Sequence, residues 1–568
     1  MMFLNRPNPM KRTIRNTLTL VWFNLVATPI FAADDSVSNV IVFSSLAFVI
    51  VLLVFLALIM GDQSIRISRS TLAKDEQDLP PSFIPSKKEI FGINDDPIAG
   101  DAKVHTLARG HEIKLDGRAD VTLQHPEINL VSVRPTDYIG MQPIPKMLVA
   151  EGDSVKIGQK LFHDRKRDSF FFTSPVAGKV KEIRRGAKRA ITDVIIEVSK
   201  RNSYVDFGSG DPKSMDREGV VEKLIESGLW VNFIERPFGI IPDRSTQPDS
   251  IYISTFDTAP LAPDYNQIIA WQGKDGETHF QKGLDALNVL SPEQVHLGLN
   301  ASEQPHAAFT EADNATKHWF RGIHPAGNPG VQLHHVRPIG PNDKVWTLRP
   351  DDVIMIGRLF ETGKLQAKRI VALTGDCLSD KAYIEVPSGS AIGDIVKERF
   401  DTFMKTDDRD AEEKAETSYR MVSGNVLSGL QIEGEGFLRN SDAHVTVLEE
   451  GDKHEMFGWL LPSYPRPSIN PTIPWSLFSF MTFKANTNTH GEKRAFVVSG
   501  QYESVTPMDL YPQHLLKSIL AEDFENIEGL GIYEVLEEDL ALCEFVCTSK
   551  QPVQETLRKG LNFIMSQR

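Results

Sequence analysis

The sequence predicts a multidomain α/β protein that is preceded by an apolar head. Three observations support this fold class. The 568 residues are 41% hydrophobic and 24% charged, a composition typical of a folded chain with three or four domains. Short apolar runs broken by Gly and Pro between residues 147 and 198 indicate a small β domain. From residue 219 onward, helical spacing alternates with short strand-like runs, which indicates an α/β layer with a parallel sheet.

The charge of the chain is unevenly distributed. The formal net charge is -14, but residues 1–88 carry nine of the 62 basic side chains and six of the 76 acidic ones, which leaves the body at -17. Such an acidic body argues against nucleic-acid binding, which needs clustered Lys and Arg. Three cysteines, Cys377, Cys543 and Cys547, exclude a disulfide scaffold and a four-cysteine metal or iron–sulfur site.

Two apolar runs make up the head. Residues 1–33 contain a basic start, an apolar run and the small residues Ala32 and Ala33, and are therefore predicted to be a signal peptide or a first membrane segment. Residues 39–61 are predicted to form a transmembrane helix, because residues 40–60 carry no charge and would span about 31 Å at about 1.5 Å per residue.

Flanking charge predicts the orientation of that span. Basic side chains follow it at Arg66, Arg69 and Lys74, so the positive-inside rule places the body in the cytoplasm. We expect a single-pass anchor with the main body on the cytoplasmic side. Residues 62–102, which are rich in Pro and mixed charge, are predicted to be a linker.

Residues 103–200 are predicted to be the β domain. The strings E-G-D-x-V-x-x-G-Q-x-L at 151–161 and P-x-x-G-x-V at 175–180 resemble those of biotinyl/lipoyl carrier domains. The stretch between them lacks the Met-Lys-Met of a carrier, so a carrier function is not predicted. A basic cluster follows, consisting of Arg184, Arg185, Lys188 and Arg189. It is interpreted either as a solvated strand edge or as a docking site for an acidic partner or a lipid surface.

Residues 201–369 are predicted to be the α/β domain. Helices are expected over 220–229 and 278–290, and strands over 251–254 and 295–299. No glycine-rich dinucleotide motif follows a strand, and no P-loop occurs, so the sequence shows no phosphate-binding site. His318, His324, His334 and His335 suggest either a metal or catalytic role or, because Pro and Gly alternate here, a shaped loop entering a strand.

An ordered set of motifs carries a resemblance. In chain order they are Arg236-Pro237-Phe238-Gly239, Asp257-Thr258-Ala259-Pro260-Leu261, His324-Pro325-Ala326-Gly327, Asp352 to Gly363, Val422 to Gly429, Phe457-Gly458-Trp459-Leu460, and Glu537 to Cys547. Over about residues 103–568 they resemble the NqrA family, one of the subunits of the sodium-translocating NADH:quinone oxidoreductase (Na⁺-NQR). This resemblance implies that the α/β domain is Rossmann-like, that residues 370–445 form an SLBB-like β-grasp domain, and that residues 446–568 are mostly helical.

The resemblance also implies a function. The family enzyme is a respiratory translocase that oxidises NADH, reduces ubiquinone and exports Na⁺. Flavins and iron centres belong to its other subunits, so this chain is expected to hold no cofactor or metal and to have no catalytic residues of its own. We expect it to dock five partner subunits, chiefly the integral NqrB at the quinone site and the flavin-carrying NqrC. A contribution to the quinone site is also implied, although no residue identifies one.

Alternatives and departures from the family pattern remain. An electron-transfer subunit of the ferredoxin:NAD⁺ reductase type shares the fold plan but needs cysteine-rich cluster motifs. Cys543 and Cys547 could begin such a motif, yet four-residue spacing also suits packing on one helix face. Gln332 replaces a family histidine, Asp351-Asp352 replaces a Gln-Asp pair, and the family's own members lack the predicted membrane span.

Overall fold

The computed structural model describes residues 98–100, 102–141, 144–168, 170–399, 419–451, 465–469 and 481–567, together with Phe48, Ile50 and Val54. It divides into two compact units, Met1–Asp95 and Asp96–Arg568. In the first unit Phe48, Ile50 and Val54 are helical and exposed. The rest of the predicted signal segment, transmembrane helix and linker up to residue 97 lies outside the described residues. Within the described part of the chain, no helix is both long and apolar enough to cross a membrane.

The strands described in the second unit form four sheets. They are β1 (Val104–Thr106), β2 (Asp120–Gln124), β3 (Leu130–Val133), β4 (Lys146–Met147), β5 (Ser154–Val155), β6 (Lys160–His163), β7 (Phe171–Thr173), β8 (Gly178–Arg185), β9 (Ile191–Val198), β10 (Ile234–Arg236), β11 (Ser250–Ser254), β12 (Val295–Asn300), β13 (Thr316–Arg321), β14 (Val345–Leu348), β15 (Lys368–Thr374), β16 (Ala382–Pro387), β17 (Tyr419–Ser423), β18 (Leu430–Ile432) and β19 (His444–Glu449).

The α-helices described in the same unit lie between and after these strands. They are α1 (Arg217–Ser227), α2 (Tyr265–Leu290), α3 (Ala307–Thr310), α4 (Pro329–Val336), α5 (Pro350–Thr362), α6 (Gly393–Glu398), α7 (Gln501–Val505), α8 (Pro512–Leu520), α9 (Phe524–Gly529), α10 (Glu537–Val546) and α11 (Val553–Ser566).

The first module is a β sandwich. One sheet has the order β3-β9-β8-β5 and the other the order β4-β6-β7, and all their pairings are antiparallel. Buried aromatic and branched side chains fill its interior, including Phe162, Phe172, Val180 and Ile196. The alternation of short apolar runs with Gly and Pro turns predicted this arrangement, because each turn lets the next strand fold back over the same core.

The second module is a six-stranded sheet of order β1-β13-β12-β11-β14-β10. All its pairings are parallel except that of β10 with β14. Helices α2 and α5 pack against each other, and two glycines allow their close approach. A Cβ at Gly357 would lie 1.7 Å from the His279 carbonyl oxygen, and one at Gly283 would lie 2.1 Å from that of Val353. The Asp352–Gly363 motif is therefore a helix-packing sequence.

The third module is a mixed sheet of order β18-β17-β19-β15-β16-β2. Two strands from the predicted β-domain range, β1 and β2, do not join the sandwich. Strand β1 pairs with β13 at the edge of the second sheet, and β2 pairs with β16 at the edge of the third. The chain thus contributes one strand to each later sheet before the sandwich begins, which local sequence patterns do not reveal.

The described part of the C-terminal region from residue 501 is helical. Val553, Leu557, Leu561 and Ile564 on α11 are all buried, as their predicted spacing on one face requires. They share a core with α8, α10 and Tyr502. This core is separate from the one that the sandwich, the α/β sheet and the third sheet have in common.

Helix and strand predictions differ from the structure in two places. Helix α2 begins at Tyr265, well before the predicted start at residue 278. It is interrupted locally at Gly273, where φ is 59°, and then continues to Leu290. The loop after His324 enters helix α4, so the predicted strand is wrong. Pro329 occupies the first helical turn of α4, where its fixed φ and missing N–H suit a helix start.

Candidate functional site

A cleft of about 600 Å³ lies at the carboxyl edge of the parallel sheet. Strand β11 is followed in the chain by β12 on one side of it, whereas β14 lies on its other side. The chain order therefore reverses at β11, and ligands of open α/β sheets bind at such reversal points. The walls include Phe256, Asp257, His324, Arg349 and Glu538.

The dispersed family motifs converge on this cleft. The motif after β11 supplies Thr258, whose Oγ1 lies 3.2 Å from Nδ1 of His324 and accepts a 2.9 Å hydrogen bond from the backbone N–H of Gly327. The third module contributes Asn425 and Ser428, and helix α10 contributes Glu538 and Ala541. Four motifs that lie far apart in the sequence thus line one cavity.

Arg236 joins one further motif, Arg236-Pro237-Phe238-Gly239, to the Glu537–Cys547 motif through a buried ion pair. Its guanidinium donates hydrogen bonds to Asp539 Oδ2 at 3.0 Å and to Glu538 Oε1 at 2.8 Å. The side chains of Arg236 and Asp539 are 1% and 0% exposed, so neither charge is solvated by water. Desolvation and the neighbouring Asp539 carboxylate raise the pKa of Glu538, although Arg236 opposes this shift and the side chain is 40% exposed.

A second ion cluster surrounds Arg349, which lines the cleft. Arg349, at the end of β14, lies 3.2 Å from Asp351 and 3.5 Å from Asp352. Arg369 pairs with the same two carboxylates, at 2.7 Å for Asp352. The two arginines hold the pKa of Asp351 below its usual value although its burial opposes this. Asp351 and Asp352 therefore form an electrically neutral cluster with Arg349 and Arg369.

Three helix N-termini border the cleft, and each already carries a carboxylate of this chain. Asp264 caps α2 by accepting from the backbone N–H of Asn266 at 2.9 Å. Asp351 and Asp352 lie in the first turn of α5. The carboxylate of Asp539 contacts the first turn of α4, since a Cβ at Gly330 would lie 2.0 Å from its Oδ2. Helix N-termini are where Rossmann-type sheets bind phosphate, so the donor set does not fit a nucleotide.

His324 is the imidazole that faces this cleft. It is 4% exposed, and burial lowers its pKa to about 4, so it is neutral at physiological pH. Its Nε2 has no hydrogen-bond partner among the described residues. The walls around it include the apolar side chains of Phe256, Leu427 and Ala541.

The other histidines of the 318–335 segment lie elsewhere. His318 Nε2 is 3.1 Å from His296 Nδ1 across neighbouring strands. His334 Nδ1 contacts Glu534 at 2.7 Å while its Nε2 accepts from the backbone N–H of Asp509 at 3.0 Å. His335 Nε2 donates to the Pro507 carbonyl at 2.7 Å. The last two therefore connect α4 to the C-terminal region.

Gln332 is fully buried. Its Nε2 donates to Ser254 Oγ at 3.0 Å and to the Ala326 carbonyl at 2.9 Å. These bonds hold α4 against the end of β11 and against the loop that carries His324. The residue thus has a positioning role at the border of the cleft.

The three cysteines are free and buried. Cys543 Sγ lies 3.3 Å from Thr506 Oγ1, and Cys547 Sγ accepts from the backbone N–H of Gln551 at 3.3 Å. Burial raises the pKa of Cys543 to about 12, which keeps it a neutral thiol in the helical core. Within the described residues, no group of three or more His, Cys, Asp or Glu side chains is arranged to hold a metal ion.

A second cleft, of about 550 Å³, lies where the sandwich, the α/β module and the third module meet. Asp137 lines it and pairs with Arg134, whose Nη2 is 3.1 Å from its Oδ1. Burial raises the pKa of Asp137 to about 6 despite the cations of Arg134 and Arg439. At Asp137 the nearby arginines therefore do not offset the cost of burying the carboxylate, whereas at Asp351 they do.

Fold and cleft together define a multidomain α/β protein whose own carboxylates occupy the helix N-termini that border the cleft. Residues 105–199 match the family model of the NqrA N-terminal barrel-sandwich hybrid domain, and residues 215–365 match that of the NqrA second alpha/beta domain. The chain belongs to the NqrA family, whose members are subunits of the Na(+)-translocating NADH-quinone reductase, a membrane-associated oxidoreductase complex. The resemblance stated from the sequence is confirmed, which decides against the ferredoxin:NAD⁺ reductase alternative.

Curated relatives that bear the name of this same reductase component support the assignment along most of the chain. The relative from Neisseria meningitidis serogroup B is 35% identical over 463 residues, which cover 81% of this chain and 98% of the relative. The relative from Rhodopirellula baltica is 34% identical over 474 residues, or 82% and 99% of the two chains. About a fifth of this chain therefore has no counterpart in these alignments. A solved NAD⁺-reducing NiFe hydrogenase matches with 11% identity and a TM-score of 0.32, covering 63% of this chain and 62% of that one.

The sequence predicts no site residues. The motifs were the one feature of the sequence that could have indicated the site, because several of them line the same cleft. Four of the seven motifs contribute residues that line the cleft, such as Asp257, His324, Asn425 and Glu538, and the Phe457–Leu460 motif lies outside the described residues. Motif order predicted the family, but the sequence gives no distance between motifs. The convergence becomes visible only in three dimensions.

Proposed function

We propose that this chain is a cofactor-free docking subunit of the Na⁺-translocating reductase. The observation that carries the proposal is the self-occupied carboxyl edge. A flavin or nicotinamide nucleotide would need the helix N-termini at this edge for its phosphates, and Asp264, Asp351 and Asp539 already occupy them. Without nucleotide chemistry, what remains for this chain is to dock the subunits that carry NADH, flavins and iron centres.

The visible spectrum of the purified full-length chain tests this proposal. We expect no absorbance above 350 nm beyond the protein baseline, a window in which every flavin and iron–sulfur centre absorbs. Adding FMN or NADH should leave the fluorescence of the nucleotide unchanged. A flavin or iron chromophore present in stoichiometric amount would overturn the cofactor-free role.

Membership in this family also supports a contribution to the quinone site, and the cleft is the place in this chain that suits it. Its apolar walls fit a ring, and the neutral His324 presents Nε2 as a hydrogen-bonding atom for a carbonyl or hydroxyl oxygen. An azido-ubiquinone photolabel in the intact complex should modify peptides around residues 324–329 or 425–428. Labelling confined to the integral subunits would contradict this contribution.

The predicted head supports a further part of the proposal, which is membrane anchoring. Residues 39–61 would hold the body at the cytoplasmic side of the inner membrane and raise its effective concentration near NqrB and NqrC. Deleting residues 1–61 should therefore lower the amount of this protein retained in the complex after detergent and salt washing. Equal retention of the truncated chain would show that the anchor is dispensable.

A further inference from the structure

We propose that the tip of the β8–β9 hairpin docks on an anionic lipid surface. The proposal rests on the family's membrane-associated complex and is independent of the anchor and of the quinone site. Hairpin residues 178–198 belong to the sandwich module and turn at residues 186–190. Residues 185–189 at the tip are exposed, and none of them lines the carboxyl-edge cleft.

Unpaired positive charge is concentrated at this hairpin. Five side chains along β8 and its turn are exposed, namely Lys179, Lys181, Arg185, Lys188 and Arg189. Within the described residues none of these five forms an ion pair, although Lys181 acts electrostatically on the carboxylate of Glu435. Because the body as a whole carries a net charge of -17, such a local excess of free cations is a distinct feature of its surface.

Arg184 differs from the other basic side chains of the hairpin, because it is paired with carboxylates. Its guanidinium makes a bidentate contact with Glu435 of the third module, at 2.7 and 3.2 Å, and also reaches Glu182 at 3.1 Å. The pairing with Arg184 lowers the pKa of Glu435 to about 2, so the contact is charged at physiological pH. The hairpin is thus fastened to the third module by a residue just before the turn, while Lys188 and Arg189 in the turn form no ion pair within the described residues.

The turn has a defined backbone. Gly186 donates its N–H to the Ala190 carbonyl at 2.8 Å, which closes the loop. Lys188 and Arg189 both have left-handed φ values of 53° and 61°, a conformation that long side chains rarely adopt. Two consecutive left-handed residues form a tight, projecting turn, and both carry a cation.

The chemistry of the tip favours a lipid surface over an acidic protein. The exposed positions of the turn, Gly186, Ala187, Lys188 and Arg189, include no large apolar side chain. Stable protein interfaces depend on buried aromatic or apolar side chains at their centre. Anionic headgroups attract Lys and Arg near a membrane surface without any apolar contact, so a purely basic tip is sufficient.

A fluorescent label at the tip provides the test. The native thiols are all buried, so an Ala187→Cys substitution introduces a uniquely accessible cysteine for an environment-sensitive nitrobenzoxadiazole dye. The full-length chain is mixed with nanodiscs of pure phosphatidylcholine or pure phosphatidylglycerol. We expect a shift of the emission to shorter wavelength with phosphatidylglycerol only. The shift should disappear in 1 M salt, where the screening length is about 3 Å.

Matched variants separate specific contact from general charge. Reversal of the charge at the tip, by Lys188→Glu and Arg189→Glu in the labelled chain, should abolish the shift of the dye emission. Reversal of two exposed lysines elsewhere, Lys274→Glu and Lys493→Glu, changes the net charge equally and should leave it intact. A label at Gln247→Cys, on an exposed acidic loop, should not respond to either lipid.

Three outcomes would overturn the proposal. They are equal emission in both lipids, a shift that survives reversal of the tip, and a response that appears only when the other subunits of the complex are added. The last result would identify an acidic protein as the partner. Retention of the chain by phosphatidylcholine nanodiscs reports on the anchor alone, so failure of the anchor and failure of tip docking give different results.

Discussion

The carboxyl edge of the parallel sheet and the tip of the β8–β9 hairpin treat charge in opposite ways. At the carboxyl edge, Arg236, Arg349 and Arg369 are each paired with carboxylates of the same chain. At the tip, cations such as Lys188 and Arg189 are exposed and free of ion pairs within the described residues. Buried ion pairs fix the modules of this chain to one another. Charged side chains that form no ion pair on an exposed turn are available to another surface.

The largest effect should follow from breaking the buried pair of the carboxyl edge. Arg236→Met leaves the carboxylate of Asp539 buried without its cation, so we expect a loss of about 3–5 kcal/mol in the free energy of unfolding. Chemical denaturation of the purified chain measures this loss.

A matched double variant shows whether the charge is the cause. Adding Asp539→Asn removes the unpaired charge while its side-chain oxygen can still accept from the backbone N–H of Leu536. The double variant should regain most of the lost stability. If it remains as unstable as Arg236→Met, packing of the arginine and not its charge holds the two motifs together.

An intermediate effect is expected at Asp137, between the two extremes of the comparison. Since its pKa is raised to about 6, the native chain retains a proton that the unfolded chain releases from about pH 4, and stability falls as the pH rises through this interval. Asp137→Asn should therefore stabilise the chain by about 1–3 kcal/mol at pH 7.5 and have little effect at pH 4. Unfolding curves at both pH values test this, and a destabilised variant at pH 7.5 would show that the pair with Arg134 outweighs the desolvation.

A smaller effect is expected at the ion pair just before the turn of the hairpin. The Arg184–Glu435 pair is about one-third exposed, so Glu435→Gln should cost about 0.2–1 kcal/mol. Because the pKa of Glu435 is lowered to about 2, this contribution is present above about pH 4.5 and is lost as the pH falls towards 2. A double-mutant cycle with Arg184→Gln measures it, and a coupling energy that is unchanged at pH 2 would argue against an ionic contact.

The smallest effect is expected at the tip itself. Reversal by Lys188→Glu and Arg189→Glu should alter the free energy of unfolding by less than about 0.5 kcal/mol, because the two side chains are exposed and form no ion pair within the described residues. Thermal and chemical unfolding measure the change. A loss comparable to that of Arg236→Met would mean that the tip has a structural role, and the contrast between the two regions would fail.

Local periodicity predicted those elements that are decided by their own sequence. The spacing of Val553, Leu557, Leu561 and Ile564 predicted helix α11, and the run at 251–254 predicted β11. The length of helix α2 was underestimated: it begins at Tyr265, before the turn at Gly273, and its residues after that turn pack closely against α5.

The site could not be predicted in the same way because its contacts are remote in sequence. Arg236 and Asp539 are 303 residues apart, and His324 meets Thr258 from 66 residues away. The domain boundaries inferred from the sequence, including the β-grasp assignment for residues 370–445, stay predictions. Strands β1 and β2 show the limit clearly, since nothing in their composition indicates which sheet they will join.

Those two strands also have a consequence for how the chain is made. Strand β1 emerges from the ribosome more than 200 residues before its partner β13, and β2 likewise precedes β16 by more than 200 residues. At about 5–20 residues per second, each strand waits on the order of ten seconds or longer with its backbone unpaired. The first stretch of the body therefore completes its folding late, after most of the chain has been synthesised, and remains an open template for mispairing until then.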